Sequence, residues 1–344
     1  MSGTINKPFL SICIPTYNRG EHVSLLVKSI LENENEEIEI VVLDNCSTDN
    51  TTQLLEQIKD ARFMFKQNKE NIGGKLNSAQ ILTQASGEYA FLCLDRDSIN
   101  VKYINVLIDK LKKNKEVVFG YCLLETKNFI SDKLFNKGYQ SLLNMTYLSK
   151  HPSGNFYKTS ILKDLKIFSH IPERYSDFDF IHEFINSESS FKGKSIKINV
   201  PIIKTGYTSN KNDFAKHKSY SYNKNNFYFS PLKRIEHFNE YAQEIMILNI
   251  TSKQKKKMIG KVFFSGLIYS TFSYMNALKD SDICNHYNIK TKKLNFIDLL
   301  KIDYFFSKSF FKRITTISFF KKIMIIIINN LKLYMFFIKN KLKS

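Results

Sequence analysis

A chain of 344 residues with 43% apolar and 14% aromatic residues is long enough for one large α/β domain and a smaller appended region, and this composition excludes a disordered protein. A formal charge of +19 implies an anionic partner, whether nucleotide, nucleic acid or acidic membrane. The five cysteines (Cys13, Cys46, Cys93, Cys122 and Cys284) are scattered without a C-x-x-C pair, so they read as reduced core residues of a cytosolic protein. No basic region leads into a long apolar run at the N-terminus, so no signal peptide is expected and a cytoplasmic location is.

The first half alternates strand and helix. Residues 9–15 form an apolar run that stops at Pro15, which has no N–H for a central ladder. Val23, Leu26, Val27, Ile30 and Leu31 recur at helical spacing and predict a helix over 20–32. A strand over 38–43 follows and ends in Asp44-Asn45. Ser47, Thr48 and Asp49 offer capping oxygens to a helix whose buried face holds Leu54, Leu55 and Ile58. Residues 63–65 predict a short strand, Asn71 to Gly74 a turn, and the following stretch a helix through Ser86. An apolar strand over 89–94 runs into Asp95-Arg96-Asp97. A helix over 101–113 and a strand over 117–123 complete the series. Units of this length predict right-handed crossovers and a mainly parallel sheet flanked by helices, Rossmann-like in class, with a helical C-terminal extension.

Each polar cluster of this half follows a strand, and in a parallel sheet such ends share one edge, where open α/β sheets bind ligands. Asp95 and Asp97 repel each other unless a cation joins them, and a hard divalent ion bound through oxygen also holds substrate phosphates. Asp44 accepts hydrogen bonds only, which suits the imide N–H of uracil or thymine and the N–H groups of guanine, and cytosine less; an Asx-type turn could satisfy it as well. Thr16 and Asn18 suit ribose or base atoms, and Asn71 with Gly73 shapes a tight turn. Neither a Walker-type loop nor a G-x-G-x-x-G is present.

Four segments in this order and spacing, Pro15 to Asn18, Val41 to Asp49, Asn71 to Gly73 and Gly87 to Asp97, resemble the family 2 glycosyltransferases of GT-A fold, with a likeness to bacterial O-antigen and capsule sugar transferases that covers roughly residues 8–205. The resemblance implies a nucleotide-diphospho-sugar site built from Pro15, Thr16, Tyr17, Asn18, Asp44, Asn45, Asn71, Gly73, Asp95 and Arg96, with Asp44 as the base-recognising acid. It implies that Asp95 and Asp97 are the D-x-D pair, Asp97 foremost in coordinating Mg²⁺ or Mn²⁺. Ser98 stands where many members carry a further acid. Ser153 to Tyr157 resembles the family's glycine-containing loop beside the donor sugar or acceptor.

An inverting transfer needs a carboxylate that takes the acceptor hydroxyl's proton. Asp177 aligns with the aspartate of the family's Glu-Asp pair, Ser176 replacing the glutamate, and Asp179 is the second candidate. Helix N-terminal acids are the plain alternative for both. His182 reads as a packing or solvent-facing residue.

The last third differs in character. Residues 204–226 are polar and suit a lid or a surface connection, and residues 232–280 read as helices. The segment from Lys301 has nine Lys and one Arg against Asp303 alone. Its apolar core, 323–338, is broken by Asn329, Asn330 and Lys332 and is short of the roughly 20 residues of a spanning helix. Ser318, Lys321, Lys322, Asn329, Lys332, Lys339, Asn340 and Lys343 fall along one helical stripe, as in a helix lying on anionic lipid. The expected organisation is a transferase domain over 1–205, a helical extension over 206–300 and a basic membrane-associating tail over 301–344.

These readings converge on an inverting sugar transferase that takes a UDP or dTDP sugar, acts on a lipid-linked saccharide at the inner face of the cell membrane, and binds no nucleic acid. A nucleotidyltransferase would show a Gly-rich basic loop where Pro15 to Asn18 stand. A non-catalytic basic protein binding nucleic acid or membrane would not need acids at three strand ends.

Overall fold

The computed structural model describes residues 7–124, 131–170, 180–206, 227, 229–312, 314, 318, 322, 323, 326 and 327. The chain divides into two compact units, Met1–Lys211 and Asn212–Ser344.

The first unit is built on strands β1 (Leu10–Thr16), β2 (Ile38–Asp44), β3 (Phe63–Gln67), β4 (Tyr89–Leu92), β5 (Ser98–Ile99), β6 (Val117–Leu124), β7 (Lys133–Phe135), β8 (Asn155–Lys158) and β9 (Lys194–Lys204). Its helices are α1 (Gly20–Leu31), α2 (Thr51–Glu56), α3 (Gly74–Gln80), α4 (Ile104–Lys113), α5 (Tyr139–Met145), α6 (Thr159–Leu162), α7 (Ile167–His170) and α8 (Ile181–Ser189). The strands lie in the order β3-β2-β1-β4-β8-β6-β9-β5, with β7 also paired to β9. The half β3-β2-β1-β4 is parallel throughout, as its βα alternation predicts. Beyond it the sheet is mixed. β8 runs antiparallel between β4 and β6, whereas β6 and β9 are parallel to each other.

Strands β1, β2 and β4 are buried along their whole length, which is why they read as continuous apolar runs without alternation. Ile12, Ile40, Val42 and Phe91 have essentially no exposed surface. Each such side chain contributes about 1.5–3 kcal/mol by leaving water. Glu39 and, at the end of β2, Asp44 are the carboxylates within these strands, and Glu39 is the one in their middle. It accepts from Ser11 Oγ, from Ser86 N and Oγ (2.7 Å each) and from Gly87 N (3.3 Å), so its burial is compensated and the start of β4 is tied to β1 and β2.

Pro15 sits inside β1 rather than ending it, opposite Leu43. Phe9 O and Cys13 O accept from β4 (Tyr89 N and Cys93 N), whereas Thr16 O accepts from Asn45 N on the β2 side. By strand alternation Pro15 faces β4, whose pairing with β1 stops at Leu92, so the missing N–H costs no ladder bond. The helix expected through Ser86 is α3 followed by a 3-10 turn over Ile81–Gln84, and the one expected from Val101 opens with a 3-10 turn over Val101–Tyr103.

The second unit holds α9 (Pro231–Ile247), α10 (Ser252–Lys279), α11 (Ser281–His286) and α12 (Phe296–Lys312). Thr251 and Gln254 form a reciprocal capping box at the start of α10. Phe238, Phe263, Phe306 and Phe310 make the core, with Phe263 at 5.8 Å from Phe306 and 5.3 Å from Phe310 between ring centroids. Helix α12 therefore runs through position 301 and packs its first turns beyond it inside this unit. Of the expected basic stripe, Ser318 and Lys322 are described; Lys321, Asn329, Lys332, Lys339, Asn340 and Lys343 lie outside the described residues. Among the described residues no helix is long and apolar enough to cross a membrane.

Candidate active site

Because β2, β1 and β4 are adjacent and parallel, Asp44, Thr16 and the segment after Leu92 emerge side by side at one sheet edge. Thr16 Oγ1 donates to Asp95 Oδ2 at 2.9 Å, and Arg19 Nη1 pairs with Asp95 Oδ1 at 2.8 Å. Asp95 is buried, so this neutral donor and this guanidinium offset the cost of its desolvation. The contact joins residues 76 and 79 positions apart in the chain.

Asp97 is 1% exposed and has three partners. His151 Nε2 lies 2.5 Å from its Oδ2, Ser153 Oγ donates to the same oxygen, and Gly206 N donates to Oδ1 at 3.2 Å. Burial works to raise its proton affinity. The His151 hydrogen bond and charge, the Ser153 hydroxyl and the Arg96 charge outweigh it, so the carboxyl sits below its ordinary value and stays ionised. The same acids act on Cys93, whose thiol is pushed far up by burial and then by Asp97 and Asp95. It is an inert core residue, as are Cys13 and Cys122, which burial also raises.

The loop that brings His151 and Ser153 here is pinned from both sides. Ser153 Oγ accepts from Leu94 N (2.9 Å), Gly154 N donates to Leu92 O (2.9 Å) and Cys122 N donates to Gly154 O (2.8 Å). These bonds also explain why β4 stops at Leu92, two residues before the expected end. Gly154 has φ +96°, and a Cβ on it would meet Cys122 O at 3.2 Å, so a side chain is strained there and crowded as well.

Asp44 is fully buried, with Oδ2 accepting from Ser47 N (3.0 Å) and Gln67 Nε2 (2.8 Å) and Oδ1 from Ser47 Oγ. Three of its roughly four lone-pair sites are thus used, and the turn role is realised. Gln67 is exposed, so its amide is the displaceable one of the three. Asn45 Oδ1 accepts from Asn68 Nδ2 (3.1 Å) and Ile72 N (3.0 Å), while its Nδ2 donates to Asn71 Oδ1 (2.7 Å), which also accepts from Gly73 N. Asn77 closes the network by donating to Leu43 O (3.0 Å). Asn18, at φ +50°, donates its N–H to Ser47 Oγ and accepts from Thr48 N, locking the turn after β1 to the turn after β2. Tyr17 is half-buried on that turn. Arg96 is half-buried and has no hydrogen bond among the described residues, though its charge acts on Asp97.

Asp177 and Asp179 lie outside the described residues. Helix α8 just after them carries His182 and Glu183, both buried rather than solvent-facing. His182 Nε2 lies 3.0 Å from Lys150 O, and burial first, with the charges of His151 and Lys150, pushes its pKa down to about 3. Glu183 Oε1 accepts from Leu148 N (3.1 Å) and Lys150 N (3.0 Å), bracing the loop that ends at His151. Sequence reasoning reached the acids and Thr16 but assigned no role to His151, Arg19, Asn68, Asn77 or Glu183. None of these has a spacing that announces it.

No group of three His, Cys, Asp or Glu side chains suited to a metal occurs among the described residues. The edge nevertheless fits a cation shared with a diphosphate, which takes one or two protein donors and fills its remaining positions with phosphate and water. Asp97 is held below its ordinary value there, and both acids already carry protein partners, Asp97 from His151, Ser153 and Gly206 and Asp95 from Arg19 and Thr16.

Residues 11–165 match the sequence model described as Glycosyl transferase family 2. The chain is 30% identical over 168 residues to the GalNAc(5)-diNAcBac-PP-undecaprenol beta-1,3-glucosyltransferase of Campylobacter jejuni, covering 46% of this chain and 54% of that protein. It is 29% identical over 130 residues to the abequosyltransferase RfbV of Salmonella typhimurium, covering 35% and 39%. The chain thus spans about half or less of these relatives' lengths. In three dimensions it resembles S. aureus TarS 1-349, with a TM-score of 0.56, 16% identity and coverage of 86% and 82%. The complex of that protein with UDP-GlcNAc gives 0.54, 18%, 86% and 83%. At such identity the likeness concerns the fold. The mixed sheet, the acids at its edge and these matches agree: residues 11–165 match glycosyl transferase family 2, and the chain has a GT-A fold.

Proposed function

We propose that the protein transfers a sugar, with inversion, from a UDP or dTDP sugar to a hydroxyl of a lipid-linked glycan during cell-surface polysaccharide synthesis. The observation that carries this reading is the buried Asp97 held beside the Thr16–Asp95–Arg19 cluster at the shared end of β1 and β4. The relatives act on an undecaprenol-linked saccharide and on abequose by name, and the structural neighbour is found with UDP-GlcNAc.

In this reading Asp44 gives up its Gln67 partner to receive the imide N–H of the base, and Tyr17 and Thr16 line the nucleoside. Asn45, Asn71 and Gly73 shape the wall beside it, and Arg96, free of hydrogen bonds among the described residues, turns to the diphosphate. Asp97 would hold Mn²⁺ or Mg²⁺, which would supply positive charge to offset that on the departing diphosphate. Asp177 accepts the acceptor's proton, with Asp179 as the second candidate, and the sugar carbon passes through an oxocarbenium-like state without a covalent enzyme intermediate.

Helix α12 supports a membrane-facing role. Ile297, Leu300, Tyr304 and Phe305 are 61%, 42%, 58% and 52% exposed along one face that also carries exposed Lys301 and Lys308. Apolar and aromatic side chains flanked by lysines suit an anionic lipid surface, where a lipid-linked acceptor resides.

The test is release of UDP or dTDP from a panel of sugar nucleotides in the presence of extracted lipid-linked saccharides. Asp177→Asn should abolish turnover and leave nucleotide binding intact, and Asp97→Ala should abolish both. Turnover unchanged in both variants would refute the assignment.

A further inference from the structure

We propose that the tip of the α9–α10 hairpin is a membrane-insertion point: its apolar end enters the headgroup region of a bilayer rich in anionic lipid, and the lysines that open α10 hold it there. The inference deepens the membrane-facing reading given above for α12 and rests on it, through a separate set of residues.

Helices α9 and α10 are joined by only four residues, Leu248 to Thr251. The turn is tied down at both ends. Thr251 N donates to Gln254 Oε1 (2.9 Å) and Gln254 N to Thr251 Oγ1 (3.3 Å), Ile250 N donates to Leu248 O (2.9 Å), and Lys255 Nζ donates to Met246 O (2.6 Å) at the end of α9. Ile245 is fully buried, whereas Ile247, two residues on, is 64% exposed, the highest value of any large apolar side chain among the described residues. Leu248 and Ile250 beside it are half-buried. The chain thus leaves the core abruptly and carries aliphatic surface out to a fixed turn.

The charge around this turn is one-sided. From Ile245 to Lys279 the chain has six lysines and no acid, and four of the six stand at 253, 255, 256 and 257. Lys253 and Lys257 are exposed one helical turn apart and have no hydrogen bond or ion pair among the described residues. The first turns of a helix disfavour cations, so the stability of α10 does not account for these two. Helix α12 adds to the same end. It runs antiparallel to α10: Lys292 N, four residues before α12, donates to Leu278 O at the end of α10 (2.9 Å), whereas Phe310 and Phe311 meet Phe263 in the first half of α10. The exposed Lys308 and Lys312 therefore lie toward the hairpin tip.

Aliphatic side chains beside lysines match an anionic bilayer, whose phosphates attract the ammonium groups and whose acyl boundary receives the apolar atoms. A small soluble anion would satisfy the lysines and leave Ile247 in water. The contact is interfacial, since no described helix is long and apolar enough to cross. It is also one-ended. Leu232, 60% exposed, lies at the other end of α9, about 22 Å from Ile247 by helix rise.

The chain has no tryptophan, so a single introduced one reports one place. In the full chain, Ile247→Trp should shift its emission to the blue on vesicles of phosphatidylglycerol and phosphatidylcholine and be quenched by lipid brominated high on the acyl chain. It should not respond to phosphatidylcholine alone, and Leu232→Trp should respond to neither. Lys253→Gln and Lys257→Gln should each weaken binding to the anionic vesicles about fivefold at low salt. All these side chains are exposed, so thermal melts of the variants should match the wild type. Three outcomes overturn the inference: a silent Ile247→Trp on vesicles that the chain does bind, an equal response from Leu232→Trp, or unchanged binding when Lys253→Gln and Lys257→Gln are combined. In each of these cases the protein still sediments with anionic vesicles, so the membrane-facing role of α12 stands while the hairpin assignment falls. Failure of the wild type to bind such vesicles removes both.

Discussion

Ser153 joins His151, the larger influence, in holding the Asp97 carboxyl below its ordinary value against the effect of burial. Its hydroxyl donates to Asp97 while accepting from Leu94 N, so it joins the acid, the end of β4 and the loop before β8. Ser153→Ala leaves Leu94 N and one Asp97 oxygen short of a partner and is expected to cost about 1–3 kcal/mol in urea unfolding. Ser153→Cys puts a weaker donor at the same place and should recover only part of the loss. His182 gives a second residue-scale test. Its pKa is about 3 in the folded chain and ordinary in the unfolded one, so the unfolded state binds the extra proton between those values. The contribution of neutral His182 is complete above about pH 6.5 and falls away as pH drops towards 3, by at most ~1.4 kcal/mol per pH unit. Between pH 7 and pH 5 the wild type should lose more stability than His182→Phe does; equal losses would contradict the burial account. The acids and Thr16 were legible in the sequence because they follow apolar runs. Their partners were not, because His151 and Arg19 meet Asp97 and Asp95 across 54 and 76 positions of chain. Such contacts depend on which strands become neighbours, and local periodicity does not carry that.

At the scale of elements, the parallel half of the sheet followed from the alternation of apolar runs and amphipathic helices, and β1, α1 and β2 lie within a residue or so of their expected bounds. The antiparallel β8 was hidden. Asn155–Lys158 is four residues without alternation, and its place between β4 and β6 is fixed by tertiary pairing rather than by its own propensity. The same insertion positions Ser153 and His151, so the site and the unexpected topology have one origin. In the second unit the packing of α10 depends on Gly266. A Cβ there would stand 2.6–2.9 Å from the Phe238 ring, whose neighbours Tyr241 and Phe306 limit its retreat. Gly266→Ala is therefore expected to destabilise this helical unit by about 1–3 kcal/mol, despite alanine's better helix propensity. A rise in melting temperature would show that the ring has room to move.

At the scale of the molecule, a charge of +19 is reconciled with an edge of buried acids by location: the acids are inside a network of donors, and among the described residues no lysine belongs to the buried set. The exposed face of α12 joins that charge to apolar surface. Vesicles containing phosphatidylglycerol should sediment with the protein, and Tyr304→Ser with Phe305→Ser should weaken this severalfold while neutral vesicles bind neither form. Equal binding of the double variant would place the contact elsewhere on the chain.

The most direct measurement is calorimetric titration of the full chain with UDP, dTDP and GDP, with Mn²⁺ and with chelator, on the wild type and on Asp97→Ala. The account predicts binding of UDP or dTDP that requires the metal and disappears in Asp97→Ala. Binding that ignores the metal, or survives in Asp97→Ala, would contradict it.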